Sequence, residues 1–213
     1  MSMKREIRFT KMQAYGNDYV YIDTLTQELS NLNELSRFVS SRHFGVCSDG
    51  MILICPSDKA DFRMRVFNPD GTEAEMCGNA VRSVGKLVFE KGFTKKTEIT
   101  VETLGGIKHI YLDLSDGHVS NITANIGAPI LEAEKVPAVT HSERFIDKTV
   151  ILDGRKFSTT AISLGNPHCV SFVEDVDTLK LEKYGPLMEN NELFPHRINA
   201  EFCQVLDREN LSL

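Results

Sequence analysis

Apolar residues recur along this chain mostly with a period of two, in short runs closed by Gly, Asn and Asp, and only in a few places with helical spacing. Phe62, Met64 and Val66 alternate with Arg63 and Arg65, which predicts a strand with one apolar face. Further strands are expected at 7–12 and 19–23, around the loop AYGND, and at 51–55, while NPDG at 68–71 reads as a turn. Strands at 99–102, 108–114 and 119–126 follow, joined by GG and DG turns. A hairpin through Asp153-Gly154, a strand leading into the loop GNPH, and strands at 169–173 and 201–206 complete the pattern.

Helices are fewer. Leu32, Leu35, Phe38 and Val39 share one helical face behind Asn31, a residue type suited to capping. Val81, Val84, Leu87 and Val88 form a stripe that predicts a helix over 78–91, with Gly92 as its stop. A short helix is expected over 177–183. Strands in runs with segregated helices place the chain in the α+β class. A boundary near Thr123 would divide it into domains 1–122 and 123–213. The second domain has strands but no counterpart of the helix over 78–91, so one sheet face would lack cover and that domain is expected to be incomplete here.

With 213 residues and 41% hydrophobic content, the chain can bury a sizeable core. Its longest apolar runs fall far short of the roughly 20 residues of a membrane span. The N-terminus MSMKREIRF carries charge without an apolar segment behind it, which argues for the cytoplasm over secretion. A net charge of -6 with interspersed signs disfavours a nucleic-acid partner and favours a small-molecule substrate. The five cysteines (Cys47, Cys55, Cys77, Cys169, Cys203) form no CxxC pair and no zinc-finger spacing, so reduced thiols and no metal are expected.

Cys77 differs from the others. It precedes Gly78-Asn79 at the start of the predicted helix, where unpaired N–H groups and the helix dipole favour an anion. Such a position lowers a thiol from its free value of about 8.5 and also cradles a carboxylate. Cys55, Cys169 and Cys203 lie in apolar strand patterns and read as small buried hydrophobes, while Cys47 is open to either reading. Rossmann and P-loop signatures are absent, no lysine stands out for Schiff-base chemistry, and the surroundings of Cys77 lack common cysteine-protease signatures.

Five segments then acquire a common meaning: FTKMQAYGNDYVYID (9–23), RHFGVCSDGMI (42–52), FNPDGTEAEMCGNAVR (67–82), GNPHCV (165–170) and NAEF (199–202). In this order they resemble diaminopimelate epimerases. Proline racemases are similar in fold but carry Cys-Gly-His, whereas Asn79 follows Cys77-Gly78 here. The resemblance implies two similar domains, each a strongly curved, mainly antiparallel sheet around a central helix. It implies an isomerase interconverting LL- and meso-diaminopimelate for lysine and cell-wall precursors, without metal or organic cofactor and with a homodimer as candidate assembly. One thiol removes the α-proton and a second, on the opposite face, returns one.

By the same resemblance Cys77 is a catalytic thiol, and Gly78 and Asn79 contact the substrate's α-carboxylate or amine. Asn17, Asn68, Asn166 and Asn199 match binding asparagines, and His168 matches a histidine that tunes the thiols. From the residues alone, Asn17 and Asn68 equally suit the turns GND and NPD, and a loop histidine is more often a surface hydrogen-bonding group. Two departures stand out. Gly50 occupies the place where some members carry a substrate-touching Gln, and no second Cys-Gly pair follows Cys77. Inversion by this chain alone is therefore not expected. The alternatives are a racemase of another amino acid and a non-catalytic amino-acid-binding remnant.

Overall fold

The computed structural model describes residues 6–213. The residues 1–5 of the charged N-terminus, read above against a secretory leader, lie outside them. Two compact units are present, Met1–Gly127 and Ala128–Leu213. The division falls beyond the expected Thr123, because Thr123 pairs with Tyr111 inside a strand that runs to Asn125. No helix among the described residues is long and apolar enough to cross a membrane.

In the first unit the order is β1 (Thr10–Ala14), β2 (Asn17–Asp23), α1 (Leu32–Ser40), β3 (Met51–Cys55), β4 (Phe62–Phe67), β5 (Glu73–Ala74), α2 (Gly78–Glu90), β6 (Glu98–Thr103), β7 (Gly106–Ser115) and β8 (His118–Asn125). The sheet runs β1-β2-β3-β4-β6-β7-β8, with β5 attached to β4. Only the β2/β3 and β4/β6 pairs are parallel. Helix α2 touches β1 and β2 at one end of this path and β7 and β8 at the other. At roughly 4.8 Å per strand a flat sheet would hold β1 and β8 about 29 Å apart, more than a helix of about 10–12 Å can reach across. The sheet therefore curls around α2.

Burial explains the sequence pattern. Tyr19, Tyr21, Ile52, Ile54, Met64 and Val66 pack toward the α2 stripe of Val81, Val84, Leu87 and Val88. Val20, Ile22, Met51, Leu53 and Phe67 face the other way, with Val39 of α1 and the half-buried Leu32 and Leu35. Strands covered on both faces read as continuous apolar runs, which is why YVYI and MILI show no alternation. Gly85 lets α2 approach the sheet, since a Cβ there would lie 2.7 Å from Ile110 Cγ2. Gly92, at φ +75, ends the helix as expected.

The second unit contains β9 (Lys148–Leu152), β10 (Arg155–Ser163), β11 (Pro167–Phe172), α3 (Leu181–Glu189), β12 (Asn199–Val205) and β13 (Leu211–Ser212), in the sheet order β13-β12-β11-β10-β9. The Asp153-Gly154 turn has φ of 48 and 78, as a tight hairpin requires. Its core gathers Val150, Phe157, Ala161, Cys169, Met188 and Phe202 on the α3 side.

Two local expectations fail. Asn31 precedes α1 but sits in the left-handed region (φ 54, ψ 50) with no side-chain capping bond, since capping geometry needs an extended backbone. The short helix is α3, displaced from 177–183, because Asp175 accepts the Asp177 and Thr178 N–H groups and the Thr178 hydroxyl, holding 177–178 in a turn. The terminal strand β13, not foreseen, pairs Leu211 with Val205.

Candidate active site

Cys77 is the N-cap of α2, in extended conformation (φ -134, ψ 111), and is half-buried. The first helical bond runs from the Val81 N–H to the Cys77 carbonyl at 3.0 Å, so the N–H groups of Gly78, Asn79 and Ala80 precede the ladder. No acidic side chain occupies the first turn of α2, and a Cβ built on Gly78 would meet nothing within 4 Å. The positive end of a 13-residue helix thus opens beside a sulfur. None of the other four cysteines shares this setting: Cys55, Cys169 and Cys203 are strand residues, and Cys47 is an exposed loop residue at φ 60.

The hairpin turn Tyr15-Gly16, with both φ positive (54 and 86), starts β2 at Asn17. Asn79 Nδ2 donates to Asn17 Oδ1 at 2.7 Å, bringing two of the expected binding residues together. Asn17 Nδ2 donates in turn to Asp49 Oδ2 at 3.2 Å, and Arg82 Nη2 donates to Asn79 Oδ1 at 2.6 Å. Tyr19, buried two residues beyond Asn17, belongs to the core cluster against which Cys77 packs; burial above all, then the neighbouring Cys77, pushes its phenol well above the ordinary value. Burial also pushes Tyr21 up to about 12, against a hydrogen bond to Ser83 that lowers it.

Asn68 is engaged in its own turn, where its side chain donates to Thr72 Oγ1 at 3.0 Å and its carbonyl accepts from Ser36 at 2.8 Å. Gly50 has φ +147, and a Cβ there would fall 2.3 Å from the Phe67 carbonyl oxygen. A side chain at that position is excluded by backbone, not merely missing.

Within the second unit, His168 and Asn199 are register partners on the parallel β11/β12 pair. His168 Nδ1 lies 2.7 Å from Glu201 Oε1, and Asn199 Nδ2 donates to the Pro167 carbonyl at 2.8 Å. Asn166 follows Gly165, at φ +108, in the loop that leads into β11. Sequence reasoning missed Glu201, although NAEF contains it, and missed Tyr19, Asp49 and Arg82. A parallel strand register would have paired Glu201 with the His168 face. Nothing local marks the other three. Among the described residues no group of three His, Cys, Asp or Glu side chains is placed to hold a metal ion.

A family model described as diaminopimelate epimerase matches residues 9–132. The chain is 51% identical over 207 residues to the diaminopimelate epimerase of Acetivibrio thermocellus, covering 97% of this chain and 74% of that protein. It is 47% identical to the diaminopimelate epimerase of Methanococcus maripaludis, covering 97% and 75%. Among solved structures, a probable proline racemase from Agrobacterium radiobacter superposes with a TM-score of 0.70 at 14% identity, covering 96% of this chain and 68% of that one. A hydroxyproline epimerase from Agrobacterium vitis gives 0.61 at 14% identity, covering 89% and 57%. At such identities the structural matches speak for the fold alone.

Proposed function

This chain belongs to the diaminopimelate epimerase family, and on that basis we propose that it serves the interconversion of LL- and meso-2,6-diaminopimelate by moving a proton at an α-carbon. The observation that carries the reading is Cys77 at the open start of α2, two residues before the Asn79–Asn17 pair. An α-proton is hard to remove because the electron pair left on carbon needs a sink, and many enzymes recruit an organic cofactor for it. Here the sink is the substrate's own carboxylate. As the Cα–H bond breaks toward the Cys77 sulfur, the electron pair delocalises onto the carboxylate, and the N–H groups of Gly78 and Asn79 stabilise the added charge.

Inversion requires a thiol on the opposite face to form the new Cα–H bond. Among the described residues Cys77 is the one cysteine at a helix start. The 213 residues by themselves are therefore expected to exchange the α-proton of one stereoisomer with little inversion. In this reading Asn166 and Asn199 bind substrate and His168, hydrogen-bonded to Glu201, sets the protonation of the reacting groups. The enzyme acts in the cytoplasm on a small molecule, as a homodimer, and needs neither metal nor organic cofactor.

Proton NMR in deuterium oxide tests this. Loss of the α-proton signal from one diaminopimelate isomer, abolished in Cys77→Ser, supports the proposal. Exchange of proline or another amino acid in preference would move the assignment to a different substrate. Calorimetric binding without exchange would instead mark a non-catalytic amino-acid-binding protein.

A further inference from the structure

The chain of hydrogen bonds from Arg82 through Asn79 and Asn17 to Asp49 has a direction that its two ends impose. A guanidinium has donors only, and an ionised carboxylate has acceptors only. Arg82 Nη2 at 2.6 Å therefore identifies the Asn79 atom it meets as Oδ1, and Asp49 Oδ2 at 3.2 Å identifies the Asn17 atom it meets as Nδ2. Asp49 Oδ2 also accepts the Asp18 backbone N–H at 3.0 Å, and the Asp49 N–H donates to the Asp18 carbonyl at 2.7 Å, so the acceptor is itself held. The middle bond, Asn79 Nδ2 to Asn17 Oδ1 at 2.7 Å, then has one possible sense. Turning either amide over would set donor against donor or acceptor against acceptor. Tyr15 backs the other end, its ring centroid 5.1 Å from the Arg82 guanidinium carbon.

We propose that Arg82 and Asp49 are positioning residues which lock the Asn17 and Asn79 amides in a single orientation, leaving one N–H on each Nδ2 for the substrate. This rests on the reading that the pair borders the substrate. The terminal torsion of an asparagine is broad and roughly two-fold, so without such neighbours it can exchange its oxygen and nitrogen positions at small cost, and a pair free to do so would present donors in only part of the population. Pre-set donors meet developing negative charge without reorganisation.

The test uses the 213-residue chain, labelled with nitrogen-15. In the unaltered chain the Asn17 and Asn79 side-chain amides should each give one pair of signals, with slowed solvent exchange. Arg82→Met and Asp49→Leu should speed that exchange about tenfold, the factor an ordinary hydrogen bond is worth, and slow α-proton exchange of diaminopimelate through kcat more than KM. Arg82→Lys, which restores a donor, should recover part of both. Should Asp49→Leu fail to fold, Tyr15→Ala removes an exposed ring and should loosen the same amides in the same direction. Unchanged amide signals in Arg82→Met and Tyr15→Ala would overturn the proposal whatever the activity. Absence of any α-proton exchange in the unaltered chain would sink the epimerase reading while leaving the amide measurement to judge the lock.

Discussion

The two units solve the same problem, a curved or twisted sheet with apolar residues, with different amounts of cover. In the first, β2 and β3 are buried on both faces, by α2 on one side and α1 on the other. In the second, β9 to β12 bury the face that meets α3, while on the opposite face Ile151, Phe172 and Val205 are 59%, 52% and 58% exposed. The sequences differ accordingly: YVYI and MILI are continuous, but RKFSTTAIS alternates, with Phe157, Thr159, Ala161 and Ser163 inward. The lesson concerns chemistry as much as packing. A cysteine in the first unit stands at a helix start, whereas Cys169 in the second is walled into a strand.

That contrast can be broken most severely at the sulfur. Cys77→Ser should lower α-proton exchange by about 10³-fold or more, the scale of a lost acid/base group, whereas Cys169→Ser should leave the exchange rate within a factor of about two. NMR of the α-proton measures both, and equal losses would remove the distinction. Next in size is the close helix–sheet approach. Gly85→Val should destabilise the first unit by about 1–3 kcal/mol, because its side chain must displace Ile110 and Leu112; denaturant midpoints give the value.

The pH dependence follows the same division. Burial above all, with the charge of Glu201, pushes the Cys169 thiol up to about 12. Its folded value lies above the unfolded one near 9.0, so its contribution is fully present below about pH 9 and is lost as pH rises toward 12. Denaturant midpoints of Cys169→Ala should therefore fall less steeply across that window than those of the unaltered chain. Tyr19→Phe, which removes the buried hydroxyl beside Cys77, should slow α-proton exchange about three- to tenfold, with melting temperature little changed. Smallest of all, Phe172→Thr on the open face of the second unit should shift stability by no more than about 0.5 kcal/mol. A larger loss measured by calorimetry would show that this face is covered in solution.

Several elements were legible because their determinants are local. Helix α2 announced itself by a stripe of four apolar residues and its Gly92 stop, and Cys77 by the Gly-Asn that follows it. Helix α3 was misplaced because the Asp175 side chain, a polar group outside the apolar pattern, decides where the chain remains a turn. Asn31 was misread because residue type suggests a cap while backbone conformation grants one.

What the amino-acid order determined by itself is therefore the family, the α+β class, most strands, and the thiol at a helix start, all encoded within windows of a few residues or in motifs carried whole. What only tertiary structure decided is which polar groups meet: Asn79 reaches Asn17 across 62 positions of chain, Asp49 reaches Asn17 across 32, and His168 finds Glu201 across 33. Periodicity says which face a residue takes, but a hydrogen bond depends on two distant backbones arriving within about 3 Å in the right orientation. That is set by the curl of the sheet around α2 and by the parallel register of β11 with β12.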